Sequence, residues 1–150
     1  MLISSKGRYA LRLMVYMAQA SDGSDTVALR KVSAAEGLSL KYLEQLARSM
    51  VKAGYLTSVR GRDGGYKMAV EPAKVSAGDI LRAAEGETMP VACSALDQGC
   101  PRENVCSTVD FWTGLDAVID DYVDGVTLEQ LAGDESDRKP YQTLAIYGGK

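Results

Sequence analysis

The chain has 150 residues, 46% of them hydrophobic and 25% charged, which is ordinary for one globular domain with its own core. It contains no run of 18 apolar residues, and the N-terminal segment with Lys6 and Arg8 lacks the apolar stretch of a secretory signal, so composition excludes a membrane span and favours a cytoplasmic protein. The formal net charge of −3 does not exclude a polyanion partner, because residues 1–74 hold twelve Lys/Arg and six Asp/Glu whereas residues 75–150 hold five and fourteen.

Three helices are predicted in the first third of the chain. The first covers residues 5–20, the second about 28–36, where Gly37 stops it, and the third about 40–53, where Ser39 is the N-cap. Apolar residues recur on one face of each helix and are expected to be buried: Ala10, Leu13, Met14, Met17, Ala18, Leu29, Val32, Ala35, Leu43, Leu46, Ala47 and Met50.

The apolar period then changes from helical to alternating. Residues 56–60 and 66–70 are predicted as paired strands around the glycine-rich turn 61–65. A fourth helix is expected to start at a capping-box-like sequence at Ser76 and to end at Gly86. The order of three helices and two strands is that of a winged helix.

The remainder of the chain divides into a cysteine-containing segment, a long helix and a tail. The long helix is predicted over residues 107–123, with Phe111, Trp112, Leu115 and other apolar side chains on one broad stripe. A short helix begins at Thr127, and residues 134–150 lack a periodic pattern. The fold class predicted is mainly α with a small β-hairpin wing (α+β), a winged helix-turn-helix followed by a long C-terminal helix.

The second and third helices, joined by a tight turn, form a candidate helix-turn-helix, whose second helix enters the major groove of DNA. The polar face near the start of that helix offers side chains suited to phosphates and to base edges, with Gln able to address adenine and Glu able to address cytosine: Ser39, Lys41, Tyr42, Glu44 and Gln45. An ordinary helix pair with a polar surface is the alternative.

The hairpin tip favours DNA over that alternative. Arg60, Arg62 and Lys67 lie on or beside the glycine-rich turn, where arginines can enter a minor groove or bind phosphates. A hairpin needed only for packing would not require arginines at its tip.

Four segments together resemble the IscR-like transcription regulators, a family of iron–sulfur-assembly, nitric-oxide and cysteine-metabolism regulators. They are SKGRYA at 5–10, LSLKYLEQL at 38–46, GYL at 54–56 and SVRGRDGGY at 58–66. The resemblance covers residues 1 to about 133.

The resemblance implies a homodimer joined through the long helix, with one winged domain on each half-site of a near-palindromic duplex DNA. Carried onto this chain, it implies DNA contacts from the start of the third helix and from the wing, and phosphates near the N-terminus: Ser39, Tyr42, Glu44, Gln45, Arg60, Gly61, Arg62, Gly64, Gly65, Lys6 and Arg8. The expected division is a DNA-binding domain 1–86, a sensor loop 87–106, a dimerisation segment 107–133 and a flexible tail 134–150.

Cys93, Cys100 and Cys106 lie in one predicted loop. In a cytoplasmic chain, three such cysteines indicate a metal or iron–sulfur site, reactive thiols or inert thiols more often than disulfides. The resemblance favours the cluster, [2Fe–2S] before [4Fe–4S], because sensing members of the family place three cysteines in this loop.

The sequence departs from the family in the fourth cluster ligand. Val109 stands where one branch has a histidine, and Arg8 stands where another has a carboxylate. The ligand is therefore unidentified, with an external group or one of several nearby oxygen side chains as candidates: Glu103, Ser107, Thr108 and Asp110.

Catalysis is not expected. The chain has no histidine to act as a base, no P-loop and no H-E-x-x-H motif. The alternative to an iron–sulfur sensor is therefore another regulator, free of metal and controlled by a protein partner or by thiol oxidation.

Overall fold

The computed structural model describes residues 3–20, 26–86 and 100–133. In chain order these ranges form α1 Ser5–Ala20, α2 Leu29–Glu36, α3 Leu40–Lys52, β1 Leu56–Val59, β2 Gly65–Met68, α4 Ala77–Glu85, α5 Val109–Gly125 and α6 Leu128–Ala132. Single turns of 3₁₀ helix, which the sequence analysis did not predict, occur at Pro72–Lys74 and Glu103–Val105. The predicted fold class, mainly helical with a small antiparallel hairpin, is confirmed.

Local side-chain chemistry explains where the helices begin. The Ser76 hydroxyl accepts from the backbone N–H of Asp79 at 3.0 Å while the Asp79 carboxylate accepts from the N–H of Ser76 at 2.9 Å, a complete capping box for α4. Thr127 and Gln130 form the same box for α6. The helix α5 starts at Val109, two residues later than predicted, because Ser107 and Thr108 form a turn rather than helix.

One stripe of each helix contributes to a single core. The predicted apolar faces of α1 and α3 are buried, with Ala18 only partly so, and α4 buries Ile80, Leu81 and Ala84. The expectation that Ala35 is buried is wrong, since this residue is exposed. Each step of three residues falls about 60° short of a full turn, so the series Leu29, Val32, Ala35 rotates off the core face of this short helix.

The hairpin is tied to the helix-turn-helix. The strands pair antiparallel with Leu56 opposite Met68 and Val59 opposite Gly65, and both strands are shorter than predicted. Val27, just before α2, exchanges two backbone hydrogen bonds with Tyr66 of β2, at 2.8 and 2.9 Å. The start of α2 is therefore fixed beside the wing.

After α5 the chain returns to the winged domain. The N–H of Ala77 donates to the carbonyl of Val126 at 2.8 Å, and the N–H of Leu128 donates to the carbonyl of Val75 at 2.7 Å. Leu128 is fully buried and joins the core with α1. The helix α6 thus shares the core of the N-terminal half, while the division at residues 86, 106 and 133 stays a prediction.

Some predicted features lie outside the described residues, namely Cys93 and the segment 134–150. Among the described residues, no helix has the length and hydropathy needed to cross a membrane.

Candidate nucleic-acid interface

The N-cap and the first two turns of α3 carry five of the side chains predicted to contact DNA. Ser39 is the N-cap, and its hydroxyl accepts from the backbone N–H of Tyr42 at 3.3 Å. The helix buries its apolar stripe and leaves Lys41 and Gln45 exposed and Glu44 half-buried. Because α3 is the second helix of the helix-turn-helix, it is called the recognition helix below.

Tyr42 is held in an aromatic and cationic cluster. Its ring meets Tyr9 of α1 edge to face, with centroids 6.0 Å apart and planes at 89°. The guanidinium groups of Arg8 and Arg12 lie 5.7 and 5.5 Å from the Tyr9 centroid, within cation–π range. Arg12 also pairs with Glu36 at the end of α2, 2.6 Å between Nη2 and Oε2. The cluster brings Arg8 close to the first turn of the recognition helix.

The first turn of α1, where Lys6 is exposed, is capped from a distance. The Glu85 carboxylate, at the end of α4, accepts from the backbone N–H of Ser4 at 2.9 Å and of Gly7 at 2.8 Å. It satisfies two N–H groups that lack partners within the helix, at the positive end of the helix dipole. A Cβ at Gly7 would collide with this carboxylate, so the contact requires glycine. Sequence reasoning missed Glu85, because a cap 81 residues from Ser4 has no local signal.

The glycines of the wing have packing reasons of their own. Gly61 has φ of 122°, and its carbonyl accepts from the N–H of Gly64 at 3.1 Å. A Cβ at Gly64 would lie 2.8 Å from that same carbonyl oxygen, and one at Gly65 would lie 2.7 Å from the carbonyl carbon of Val27. These contacts give the three glycines a role in the turn itself, and their contact with DNA stays a prediction.

An open groove of about 700 Å³ separates the recognition helix from the wing. Its charged side chains come from three elements: Arg30 of α2, Glu44 and Arg48 of the recognition helix, and Arg62 of the wing tip. Across the described residues, none of these four groups has an ion-pair partner. Arg30 and Arg48 were not among the predicted DNA contacts. Arg30 has no local signal, because a backbone bridge between Val27 and Tyr66 of β2 brings the start of α2 to the wing.

The two described cysteines precede α5 and are half-buried free thiols. The Thr108 hydroxyl lies 3.4 Å from Cys106 Sγ, and hydrogen bonding from Thr108 lowers the pKa of the Cys106 thiol because it stabilises the thiolate. A thiolate is the ligand that iron–sulfur clusters use, so this donor fits such a cluster in type. Within the described ranges, which omit Cys93, no three acidic or thiol side chains gather as a metal site.

The helix α5 exposes much of its apolar stripe. Phe111 is 64% exposed, Val118 52% and Tyr122 45%, and none of the residues of α5 is buried. Phe111 packs against its neighbour Trp112 edge to face, with centroids 4.9 Å apart. An apolar face of this size on a helix of 17 residues is typical of a surface that another chain covers.

The far end of α5 is fastened to α4 through Arg82. Its Nη2 donates to the Asp124 carboxylate and lies 3.7 Å from Asp79 Oδ1, while Nη1 lies 3.8 Å from Asp120 Oδ1. The hydrogen bond to Asp124 is the largest cause of a raised Arg82 pKa. A Cβ at Gly78 would collide with Asp124, so α4 and α5 approach closely here. These contacts hold the C-terminal half of α5 against α4.

The sequence matches a family of known proteins. Residues 3–134 match the sequence model of the Rrf2 family, described as iron-dependent transcriptional regulators. The chain is 36% identical over 135 residues to the HTH-type transcriptional regulator IscR of Aliivibrio salmonicida, covering 89% of this chain and 79% of that protein. It is also 36% identical over 132 residues to the HTH-type transcriptional regulator CymR of Bacillus subtilis, covering 88% and 90%.

Solved structures show the same fold. The structure of CymR of B. subtilis, described as its global cysteine regulator, superposes with a TM-score of 0.72 at 35% identity and covers 88% of this chain and 96% of that one. The oxidized form of CymR of Staphylococcus aureus gives a TM-score of 0.68 at 35% identity, covering 89% and 98%.

Proposed function

Because the chain belongs to the Rrf2 family of transcriptional regulators, we propose that it binds a near-palindromic duplex DNA as a cytoplasmic homodimer, one winged domain on each half-site. The relatives are named as transcriptional regulators, which are not enzymes. This confirms the family resemblance and the prediction that the chain is not an enzyme. The observation that supports the proposal best is the set of exposed cationic side chains around the recognition helix and the wing, which lack carboxylate partners among the described residues.

The proposed contacts follow from side-chain chemistry. Glu44 and Gln45 address base edges in the major groove, where a carboxylate can accept from cytosine N4 and an amide can bind adenine. The remaining contacts go to phosphates or into the minor groove, since hydroxyl, ammonium and guanidinium groups suit them: Lys6, Arg8, Ser39, Lys41, Tyr42, Arg60 and Arg62, with Gly61, Gly64 and Gly65 shaping the wing.

Dimerisation through α5 is supported by its exposed apolar stripe. Two copies packed along this stripe would cover Phe111 and Val118, and the fixed junction at Arg82 would then set the spacing of the two recognition helices. A two-fold dimer reads half-sites about 34–36 Å apart only when that spacing is right. We expect Val118→Asp to give a monomer by analytical ultracentrifugation with unchanged far-UV circular dichroism. A dimer that persists would place the interface elsewhere.

The proposed signal acts through the cysteines. Cys93, Cys100 and Cys106 would hold an iron–sulfur cluster, with [2Fe–2S] preferred over [4Fe–4S] and the fourth ligand still unidentified. When bound, such a cluster supplies a redox-sensitive and oxygen-sensitive iron centre. Cys106 directly precedes the turn into α5, so the order of this segment would bias the start of the dimerisation helix. A few kcal/mol between competent and incompetent arrangements are enough for a switch.

The test compares three proteins on one DNA. Protein purified without oxygen is examined by visible absorption and by iron and sulfide content, and is then titrated with one operator beside apo protein and the triple Cys→Ser variant. We expect cluster absorption and a different affinity for the holo protein. Equal binding by all three would contradict an allosteric role, and no iron after anaerobic reconstitution would contradict the cluster.

The second candidate is a metal-free regulator of the same family, controlled by thiol oxidation or by a protein partner. It is favoured by the lowered pKa of the Cys106 thiol, because the thiolate is the reactive form. A relative solved in an oxidized form points the same way. Mass spectrometry of peroxide-treated protein distinguishes the two, since this candidate requires a modified Cys106 and altered DNA affinity in iron-free protein.

A further inference from the structure

We propose that the groove between the recognition helix and the wing binds one strand of the DNA backbone, with Arg30 and Arg48 as additional phosphate ligands beside Arg62. The inference rests on the proposed function and extends it to two residues outside the recognition-helix and wing motifs. The three arginines come from separate elements yet line one groove, with Glu44 on the same wall.

The charge of the groove is unbalanced in the free protein. Arg30, Arg48 and Arg62 are exposed, and within the described part of the chain none of them forms an ion pair. Guanidinium groups that line one groove repel each other, and a polyanion that enters the groove offsets this repulsion. A guanidinium also matches the two free oxygens of a phosphodiester, because its paired N–H donors have the spacing of those oxygens.

The groove is positioned to receive a backbone rather than a base. One wall is the recognition helix, which in the proposed complex lies in the major groove of the duplex. The other wall is the wing, which contacts the adjacent part of the DNA. The DNA strand between these two contacts has to cross the protein groove. The backbone bridge between Val27 and Tyr66 holds the first turn of α2 against the wing. Arg30, in that first turn, thereby lines the same groove as Arg48.

The arginines of the groove also affect Glu44. It precedes Arg48 by four residues and therefore shares its helix face. A carboxylate alone near phosphates is repelled by them, but three arginines along the same groove offset that repulsion. Arg48 and Arg30 thus allow a glutamate to stand at the base-reading position.

The experiment measures binding to random-sequence duplex DNA as a function of salt, since phosphate contacts do not require the operator. Each phosphate contact contributes about −0.9 to the slope of log K against log salt. We expect Arg30→Ala and Arg48→Ala each to reduce the magnitude of the slope by about 1.8, about 0.9 for each protomer of the dimer, and we expect the same of Arg62→Ala. Arg48→Lys should retain the slope because it keeps the charge.

Lys74→Ala is the control for diffuse charge, because it also removes one positive charge, from an exposed position that pairs with Glu71 at 3.0 Å and does not line the groove. It should leave the slope unchanged, and circular dichroism should show all variants folded. If the wild type binds and Arg62→Ala flattens the slope while Arg30→Ala and Arg48→Ala match the wild type, the inference is wrong and the proposed function stands. If Lys74→Ala flattens the slope as much as the groove variants, diffuse charge replaces the groove. Failure of the wild type to bind duplex DNA at low salt contradicts the proposed function itself.

Discussion

The winged domain and α5 differ in which side chains they bury and which they leave exposed. In the recognition helix, Leu43, Leu46 and Met50 are fully buried, and the cations that remain outside have no carboxylate partners among the described residues. On α5, Phe111 and Val118 are more than half exposed. At the junction of the two regions, the cation is occupied, because Arg82 is surrounded by carboxylates.

The difference shows which surface each region leaves unsatisfied. A domain with a closed apolar core is stable through contacts within its own chain, and its unpaired cations form a surface that attracts a polyanion. A helix with an open apolar stripe lacks an apolar partner. We therefore expect the stability of the winged domain to be intramolecular, and that of α5 to depend on a second chain.

The largest expected effect tests this directly with one substitution at two places. Leu46→Ala should lower the free energy of unfolding by about 2–5 kcal/mol, because it leaves a cavity in the core. Leu115→Ala removes the same atoms from α5, where the residue is only partly buried. Its cost should grow with protein concentration, since its neighbours would lie on the partner chain.

Urea unfolding at several protein concentrations is the measurement. Equal losses for Leu46→Ala and Leu115→Ala, both independent of concentration, would mean that α5 is stabilised within its own chain and would remove the contrast.

The next effect concerns Glu44, the acidic side chain that is proposed to contact a base edge. Glu44→Ala should relieve repulsion from the phosphates and widen the set of bound sequences, with about 1–3 kcal/mol of discrimination lost at one base pair. Selection from a random DNA pool measures this. Glu129→Ala, which removes an exposed glutamate from α6, serves as control. An identical consensus for wild type and Glu44→Ala would contradict the base-reading role.

The smallest expected effect separates unpaired from paired arginines. Arg62→Ala should weaken binding to every sequence and reduce the magnitude of the salt slope by about 1.8, about 0.9 for each protomer of the dimer. Arg82→Ala should also weaken binding to the operator, because the spacing of the two winged domains is no longer fixed, but its salt slope should equal that of the wild type. Fluorescence anisotropy at several salt concentrations measures both slopes. Equal slope changes would indicate that Arg82 also contacts phosphate.

Periodicity and end signals were sufficient for the elements. The caps at Ser39 and Ser76 and the stop at Gly37 mark helix ends within a residue or two, because these signals act between neighbours in the chain. Likewise, the alternation around the glycine-rich turn predicts the hairpin. The Ala35 error arises within the same reasoning, since a pattern of three-residue steps was extended past the end of the buried face.

The sequence alone was therefore enough to predict the family and the winged helix-turn-helix, because these depend on contiguous motifs and on short-range physics. The folded chain adds the contacts between segments that are distant in the sequence. It places Glu85 as the cap of α1, Arg30 beside the wing, and α6 in the core of the first half. A periodic pattern reports which face of a helix is apolar but not what covers it, so only the folded chain distinguishes the closed stripe of the recognition helix from the open stripe of α5.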